Sequence, residues 1–568
     1  MSPQRNEALR FSARPDIIGK KTRKEAIQLS RSLKKGGKEL LSVVLLFALF
    51  FLRFTYYGLK YYPQLDDYLH YSVYTTEKIT ADFLTTRPLA SILDVYLWGN
   101  FWGNMIVAIL ILSILYTVAI HLLMCVFRQY FSCGWMFLLI AALLPMGFEG
   151  LYWISAASRI IVGLFFASVA AFLLQCFYES KKWYCAVPFV LMQLISFFFY
   201  EQVLLLSVAL SLVQSVLNFK KLRWYTLTGL ASLLNMAIYF IVISFLGSTA
   251  RAQLVNPFTA AYWTEKLPSL FRQFYECFVG ANFFTLGKGF LRGMQITFRD
   301  GAWLYLIGIF ALCALLFFLQ YRSGEGKFAR RNPETSLQKY KPLVGLILLL
   351  APLAVFFAVS YNWFSLRNAV PSFIGLALLG EWLLETFFQD FRHRKGITAA
   401  IVTLFAFVCC FASVSELHDY HITNRNDRKI VQDLSAALQA EPEGENVGVL
   451  HLEASYLENW NYEFHEHLTG CGSSAWALSN AIESITGSKL PCTVTPLAVH
   501  PPYYTPENRD AKDLESFDKL YLYEIKTGAV TPVTYKVNEN GEYEVYFEDG
   551  RLVFTIWNGP DGCGYVRW

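Results

Sequence analysis

Residues 103–127 read GNMIVAILILSILYTVAIHLLMCVF, twenty-five positions with no formal charge. The hydrocarbon core of a bilayer is about 30 Å thick, and a helix crosses it in roughly 20 apolar residues, so this stretch is long enough to span one. Ten comparable apolar runs flank it, at 40–58, 134–151, 158–178, 184–200, 202–218, 225–247, 302–320, 342–360, 369–388 and 396–415. Of the 568 residues 55% are hydrophobic and 16% charged, which excludes disordered, collagen-like and coiled-coil chains. The expected fold is mainly α, a polytopic membrane protein of about eleven transmembrane helices.

Charge fixes the expected orientation. Residues 1–38 hold 11 Lys and Arg, and with this segment inside, Arg128, Lys181-Lys182, Lys220-Lys221-Arg223, the 321–341 loop and Arg392-His393-Arg394-Lys395 all fall on the cytoplasmic side. The apolar stretch 184–218 is broken only by Tyr200-Glu201-Gln202. Reading it as two spans with the triplet at a hairpin tip keeps the basic segments on one side. No small-residue cleavage site follows Phe47–Tyr57, so residues 1–38 read as a basic cytoplasmic segment, not a removable signal.

The chain then divides into 1–38, a membrane domain over 39–415 with long outer loops at 59–102 and 248–301, and a tail over 416–568. The tail holds 24 Asp and Glu against 11 Lys and Arg, and an odd number of spans places it outside. Helical spacing covers 427–438 and 474–486, while 446–452, 519–526, 542–547 and 551–557 read as short strands between Gly-bearing turns. A small extracytoplasmic α/β or α+β domain is expected. Its three cysteines, Cys471, Cys492 and Cys563, allow one disulfide but do not form a disulfide scaffold. His465-Glu466-His467 reads as a polar loop, since His at i and i+2 share a side only on a strand.

No Walker loop, dinucleotide glycine pattern, zinc spacing or internal repeat occurs, and nothing indicates nucleic acid as a partner. The informative stretch is the first outer loop: Tyr61-Tyr62-Pro63-Gln64-Leu65-Asp66-Asp67-Tyr68-Leu69-His70-Tyr71, followed by Thr86-Arg87-Pro88-Leu89. Two adjacent carboxylates among aromatic side chains at a membrane face are costly unless hydrated, paired or functional. Asp66 could cap a short interfacial helix. Alternatively, one carboxylate removes a proton from an acceptor hydroxyl while the other holds the geometry or a cation.

An Asp-Asp pair just beyond the first span, a nearby Arg-Pro, and ten or more spans with an outer C-terminal domain resemble the polytopic GT-C glycosyltransferases, which use polyprenyl-phosphate sugars as donors. More narrowly, Asp66-Asp67-Tyr68 with Thr86-Arg87-Pro88-Leu89 is similar to the bacterial glucosyltransferase family that decorates O-antigen, with Thr86 where that family tends to have glycine. The likeness covers about 400 residues in topology and about a dozen in motif, and leaves the tail unexplained. It implies a polyprenyl-phosphate sugar donor in the lipid bilayer and an extracytoplasmic glycan acceptor, with Asp66 as general base and Asp67 as its support.

The other residues expected at such a site face the same side. Arg87, Arg159 and Arg367 carry the planar fork that suits a phosphate, and Glu149 and Glu201 lie near them in the topology. Trp153 and Trp363 belong to an interfacial aromatic belt or stack on sugar. The 248–301 loop is expected to form interfacial helices. No cofactor is called for, and the Asp pair would act with or without a divalent cation. The rival reading is a transporter or flippase of lipid-linked glycans with an outer binding domain. Transporter sites lie near the bilayer midplane on interrupted helices, whereas the polar residues here gather at span ends. A sensor is disfavoured by short inner loops.

Overall fold

The computed structural model describes residues 39–73, 87–246, 253–323, 337–360, 364–388, 391, 393–450, 470–497, 511–558 and 564–567. The basic segment 1–38, Thr86, Trp363, Cys563 and the 465–467 triplet lie outside the described residues.

Each of the eleven apolar runs forms helix. Among the described residues, eight helices are long and apolar enough to cross a membrane: Ile106–Phe127, Ile154–Ser180, Glu201–Lys220, Arg223–Leu246, Trp303–Arg322, Gln338–Ala358, Leu366–Phe388 and Arg394–Leu438. A ninth results if Trp135–Leu143 and Pro145–Tyr152, bent by 43°, form one broken span. The bend falls where Leu144 is extended ahead of Pro145, because proline disfavours helical backbone in the residue before it. Two runs give shorter helices, Glu39–Leu52 and Trp183–Phe197. The second of these ends before an extended Tyr200, and the next helix opens at Glu201, so the polar triplet does split that stretch.

The last run departs from expectation. Residues 396–415 and 427–438 were separate in the sequence reading but belong to one continuous helix, Arg394–Leu438. No Gly or Pro lies between them, and apolar Leu417, Tyr420 and Ile422 bridge the gap, so nothing stops the helix. The 253–301 segment is helical turns from Tyr262 to Arg299. Its final helix, Gly289–Arg299, crosses Arg394–Leu438 so closely that a Cβ at Gly293 would sit 1.9 Å from the Phe411 carbonyl. Only glycine permits that approach.

The tail forms a seven-stranded sheet in the order β2-β1-β3-β4-β5-β6-β7. Its strands are β1 Asn446–Leu450, β2 Thr493–Leu497, β3 Lys519–Glu524, β4 Ala529–Val537, β5 Tyr543–Phe547, β6 Leu552–Asn558 and β7 Gly564–Arg567. The first three run parallel and the rest form an antiparallel meander. β2 and β4 escaped the sequence reading because each contains proline, which removes a ladder donor. β2 is an edge strand, and Pro532 lies where β4 pairs only with β3, since pairing with β5 starts at Val533. The helix Ala475–Thr486, capped by the Ser474 hydroxyl, packs between the sheet and the far end of Arg394–Leu438. Ile430, Val431, Leu434 and Leu438 share a buried apolar cluster there with Val447, Leu478, Val494 and Tyr68. Tyr68 comes from the Asp-Asp loop, which is therefore held between bundle and sheet.

Candidate functional site at the sheet-facing end of the bundle

The two aspartates have unequal surroundings. Asp67 is fully buried and accepts three hydrogen bonds: from the Tyr61 hydroxyl at 2.5 Å, the Gln64 amide at 3.1 Å and the Ser155 amide at 3.1 Å. The Tyr61 hydroxyl also accepts from the Ile154 amide at 3.0 Å. Ile154 and Ser155 open the helix Ile154–Ser180, whose own cap residue, Trp153, offers no side-chain bond. Asp67 is therefore the distant N-cap of that helix, filling the place where free amides need an acceptor. Burial pushes its carboxyl up to about 8, and the three donors pull the other way.

Asp66 is only part-buried, and among the described residues its side chain makes no hydrogen bond. The cap on a short interfacial helix does not form; capping falls to its neighbour. Leu65 precedes it at φ 39°, a left-handed conformation that is strained for a branched side chain. The turn is closed by the Asp67 amide on the Gln64 carbonyl at 2.8 Å and the Tyr68 amide on the Leu65 carbonyl at 3.2 Å. It is anchored to Arg394–Leu438 by Gln64 on the Tyr420 carbonyl at 3.2 Å, and by Asn424 on the Pro63 carbonyl and Tyr68 hydroxyl at 2.9 and 3.0 Å. A saturated aspartate thus sets the loop, and the strained turn presents its free neighbour.

The cations are already paired. Arg159 binds the buried Asp94 at 2.7 Å and its own-turn Ser155 carbonyl, and Asp66 lies within electrostatic reach of it. Tyr71 donates to Asp94 at 3.3 Å, and His70 Nδ1 meets the Ser155 hydroxyl at 2.7 Å. Burial, then the Arg159 charge, lowers His70 to about 3, so its ring is neutral at ordinary pH. Arg87 forks onto Glu201 through Nε and Nη2 at 2.8–3.2 Å and lies over the Tyr200 ring at 4.5 Å. Tyr200 donates in turn to Asn368 at 2.5 Å. Arg367 lies 4.9 Å over the Trp153 ring, and Trp153 donates to the Gln64 carbonyl at 3.3 Å.

The structure therefore gathers Asp66, Asp67 and Arg159, with Arg87 near enough for its charge to be felt by Arg159's. Glu201 holds Arg87, and Arg367 joins through Trp153. Glu149 is fully buried one helical turn before Trp153. Asp94, Tyr61, Tyr71, His70 and Ser155 were assigned no role from sequence. Asp94 left a signal, a lone carboxylate in the apolar Ile92-Leu93-Asp94-Val95, which a membrane-face segment tolerates only when it is paired. No group of three His, Cys, Asp or Glu is arranged to hold a metal ion among the described residues. Cys471 and Cys492 are buried free thiols.

Comparison with models of known protein families finds no match to this chain, and comparison with curated proteins finds none either.

Proposed function

We propose that the protein is a membrane glycosyltransferase that moves a sugar from a polyprenyl-phosphate donor to an extracytoplasmic glycan, with Asp66 as general base. In this reading the two short apolar helices complete eleven spans, residues 1–38 are cytoplasmic, and the sheet domain is outside. The observation that carries it is the inequality of the aspartates. Asp67 is saturated by three donors, while Asp66 stands part-exposed beside it, within electrostatic reach of Arg159. A free carboxylate held in place by a buried neighbour suits base catalysis on a hydroxyl.

The Asp66 carboxylate takes the proton of the acceptor hydroxyl as its oxygen forms a bond to the anomeric carbon. The bond from that carbon to the phosphate oxygen breaks, and its electron pair leaves with the lipid phosphate. Arg367, which lies over the Trp153 ring, is the donor-facing cation in this scheme. The developing phosphate charge also draws on the remaining N–H groups of Arg159 and Arg87, which Asp94 and Glu201 hold in place.

The test incubates purified protein with a panel of polyprenyl-phosphate sugars and follows loss of the lipid donor, for wild type and Asp66→Asn. Asparagine keeps the size but accepts no proton, so turnover should fall by about 10²–10⁴ with donor binding retained. Full turnover in Asp66→Asn removes the base. Saturable donor binding without turnover by wild type, given a suitable acceptor, removes the enzyme.

A further inference from the structure

Away from the Asp66 loop, and independent of its chemistry, a cavity of about 290 Å³ opens beside Arg394–Leu438. Its wall includes His418, His421, Ile422 and Arg425, whose spacing of three, four and seven residues puts them on one helix face. Tyr57, at the end of the first apolar run, and Arg299-Asp300, at the end of Gly289–Arg299, close the other sides. Tyr420 and Asn424, on a different face of the same helix, hold the Asp-Asp loop, so one helix separates the two sites.

The lining is cationic. Asp300 is its one carboxylate, and it is occupied twice, by Arg299 at 3.0 Å and by the Tyr56 hydroxyl at 3.1 Å. Asp419 is buried and paired with Arg292 at 2.6 Å, and it is not part of the cavity wall. Arg425 is exposed and forms no ion pair among the described residues. Lys60 and Arg425 both act on His421, so two arginines of the wall and a nearby lysine stand against one committed carboxylate. The His421 ring stacks on Tyr57 at 4.4 Å, and its Nδ1 is buried without a hydrogen-bond partner among the described residues. Tyr57 meets His418 Nδ1 through its hydroxyl. The cavity thus offers an excess of positive charge and aromatic walls, on a level with the ends of the apolar runs.

We propose that this cavity binds a phosphate-bearing anion, with Arg425 and Arg299 supplying charge. Such a group comes either from a lipid headgroup or from a soluble phosphate. A metal cation is disfavoured by the same three positive charges, and a neutral sugar would leave them uncompensated.

The full-length protein in dodecyl maltoside is titrated calorimetrically with inorganic phosphate and, separately, with dodecyl phosphate. Arg425→Gln and Arg425→Lys are compared with wild type, each first shown to keep the wild-type unfolding temperature. Saturable binding that weakens about tenfold or more in Arg425→Gln and partly returns in Arg425→Lys is the expected result, since a charge-assisted bond is lost and then restored. If that pattern holds for both probes, a soluble phosphate suffices; if for dodecyl phosphate alone, the ligand is a lipid headgroup. No saturable binding of either probe, or binding indifferent to Arg425→Gln, overturns the proposal.

Discussion

Ile154–Ser180 and Trp303–Arg322 carry comparably apolar stretches, yet 67% of the first stretch is buried inside the molecule and 22% of the second. The peripheral helix turns Trp303, Leu304, Ile307 and Phe310 outward, as a lipid-facing helix would. The central one buries Ser155, Ser158, Arg159, Ser168 and Gln175 among its apolar residues. Hydropathy reports that a helix suits a membrane, but the polar residues it carries at that same hydropathy report which helices meet one another. The candidate site stands on the central helix, Ile154–Ser180, because only in such a helix can a charge find a partner away from water.

The sharpest way to break this contrast is to unpair the central helix. Asp94→Ala leaves Arg159 buried without its carboxylate, and removing one member of a buried pair typically costs about 3–5 kcal/mol. The unfolding temperature in detergent should drop strongly, and pairing Asp94→Ala with Arg159→Met should recover part of the loss. An unaffected single variant would show that the ion pair does not hold the cleft.

Apolar truncation gives the next effect. Leu164 is fully buried on the central helix, while Leu304 is 87% exposed on the peripheral one. Leu164→Ala should cost about 2–4 kcal/mol through the cavity it leaves, and Leu304→Ala less than about 0.5 kcal/mol. Equal losses in thermal unfolding would mean that Trp303–Arg322 packs against something not described here.

A smaller effect is expected at the rim, where Arg87 and Glu201 are 32% and 27% exposed. Arg87→Lys keeps charge but loses the fork, so about 1 kcal/mol or less of stability should go, while donor use, measured as the donor concentration giving half-maximal turnover, shifts more.

The smallest effect in wild type is a pH slope, because two opposed contributions nearly cancel. Asp67 rises from 3.8 to about 8 on folding, so its contribution is present below 3.8 and is lost as pH climbs through 8. His70 falls from 6.5 to about 3, so its contribution is present above 6.5 and is lost as pH falls through 3. The slopes oppose each other between about 4 and 6.5, and only the Asp67 decline remains between 6.5 and 8. The unfolding temperature of wild type should be nearly flat over the lower window, rise with pH there in Asp67→Asn, and fall with pH there in His70→Gln. Identical profiles in all three would show that neither group titrates with folding.

The apolar runs were legible because a span must be apolar along its whole length, and their helices lie close to where the sequence put them. The sheet was half legible: β1, β3, β5 and β6 show strand composition, while Pro496 and Pro532 concealed β2 and β4. At the site, the Asp pair, Arg87 and Arg159 declared themselves as charges at span ends. The assignment of partners did not, because Asp94 to Arg159 and Arg87 to Glu201 bridge 65 and 114 positions of chain. Nor does any local pattern tell which of two adjacent aspartates will meet the free amides of a helix 88 residues on.

The helix that leaves the bundle never stops before it reaches the sheet. At about 1.5 Å per residue its 45 residues form a shaft roughly 67 Å long, of which about 30 Å suffices to cross a bilayer's apolar core. The sheet is mounted on that shaft, and Asp427 grips the Cys471 amide at 2.9 Å beside it. Swinging the sheet would mean bending the shaft or shearing off Asn424 and Tyr68. A polymer pulling on the sheet would therefore deliver torque to the Asp-Asp loop along a rigid axle.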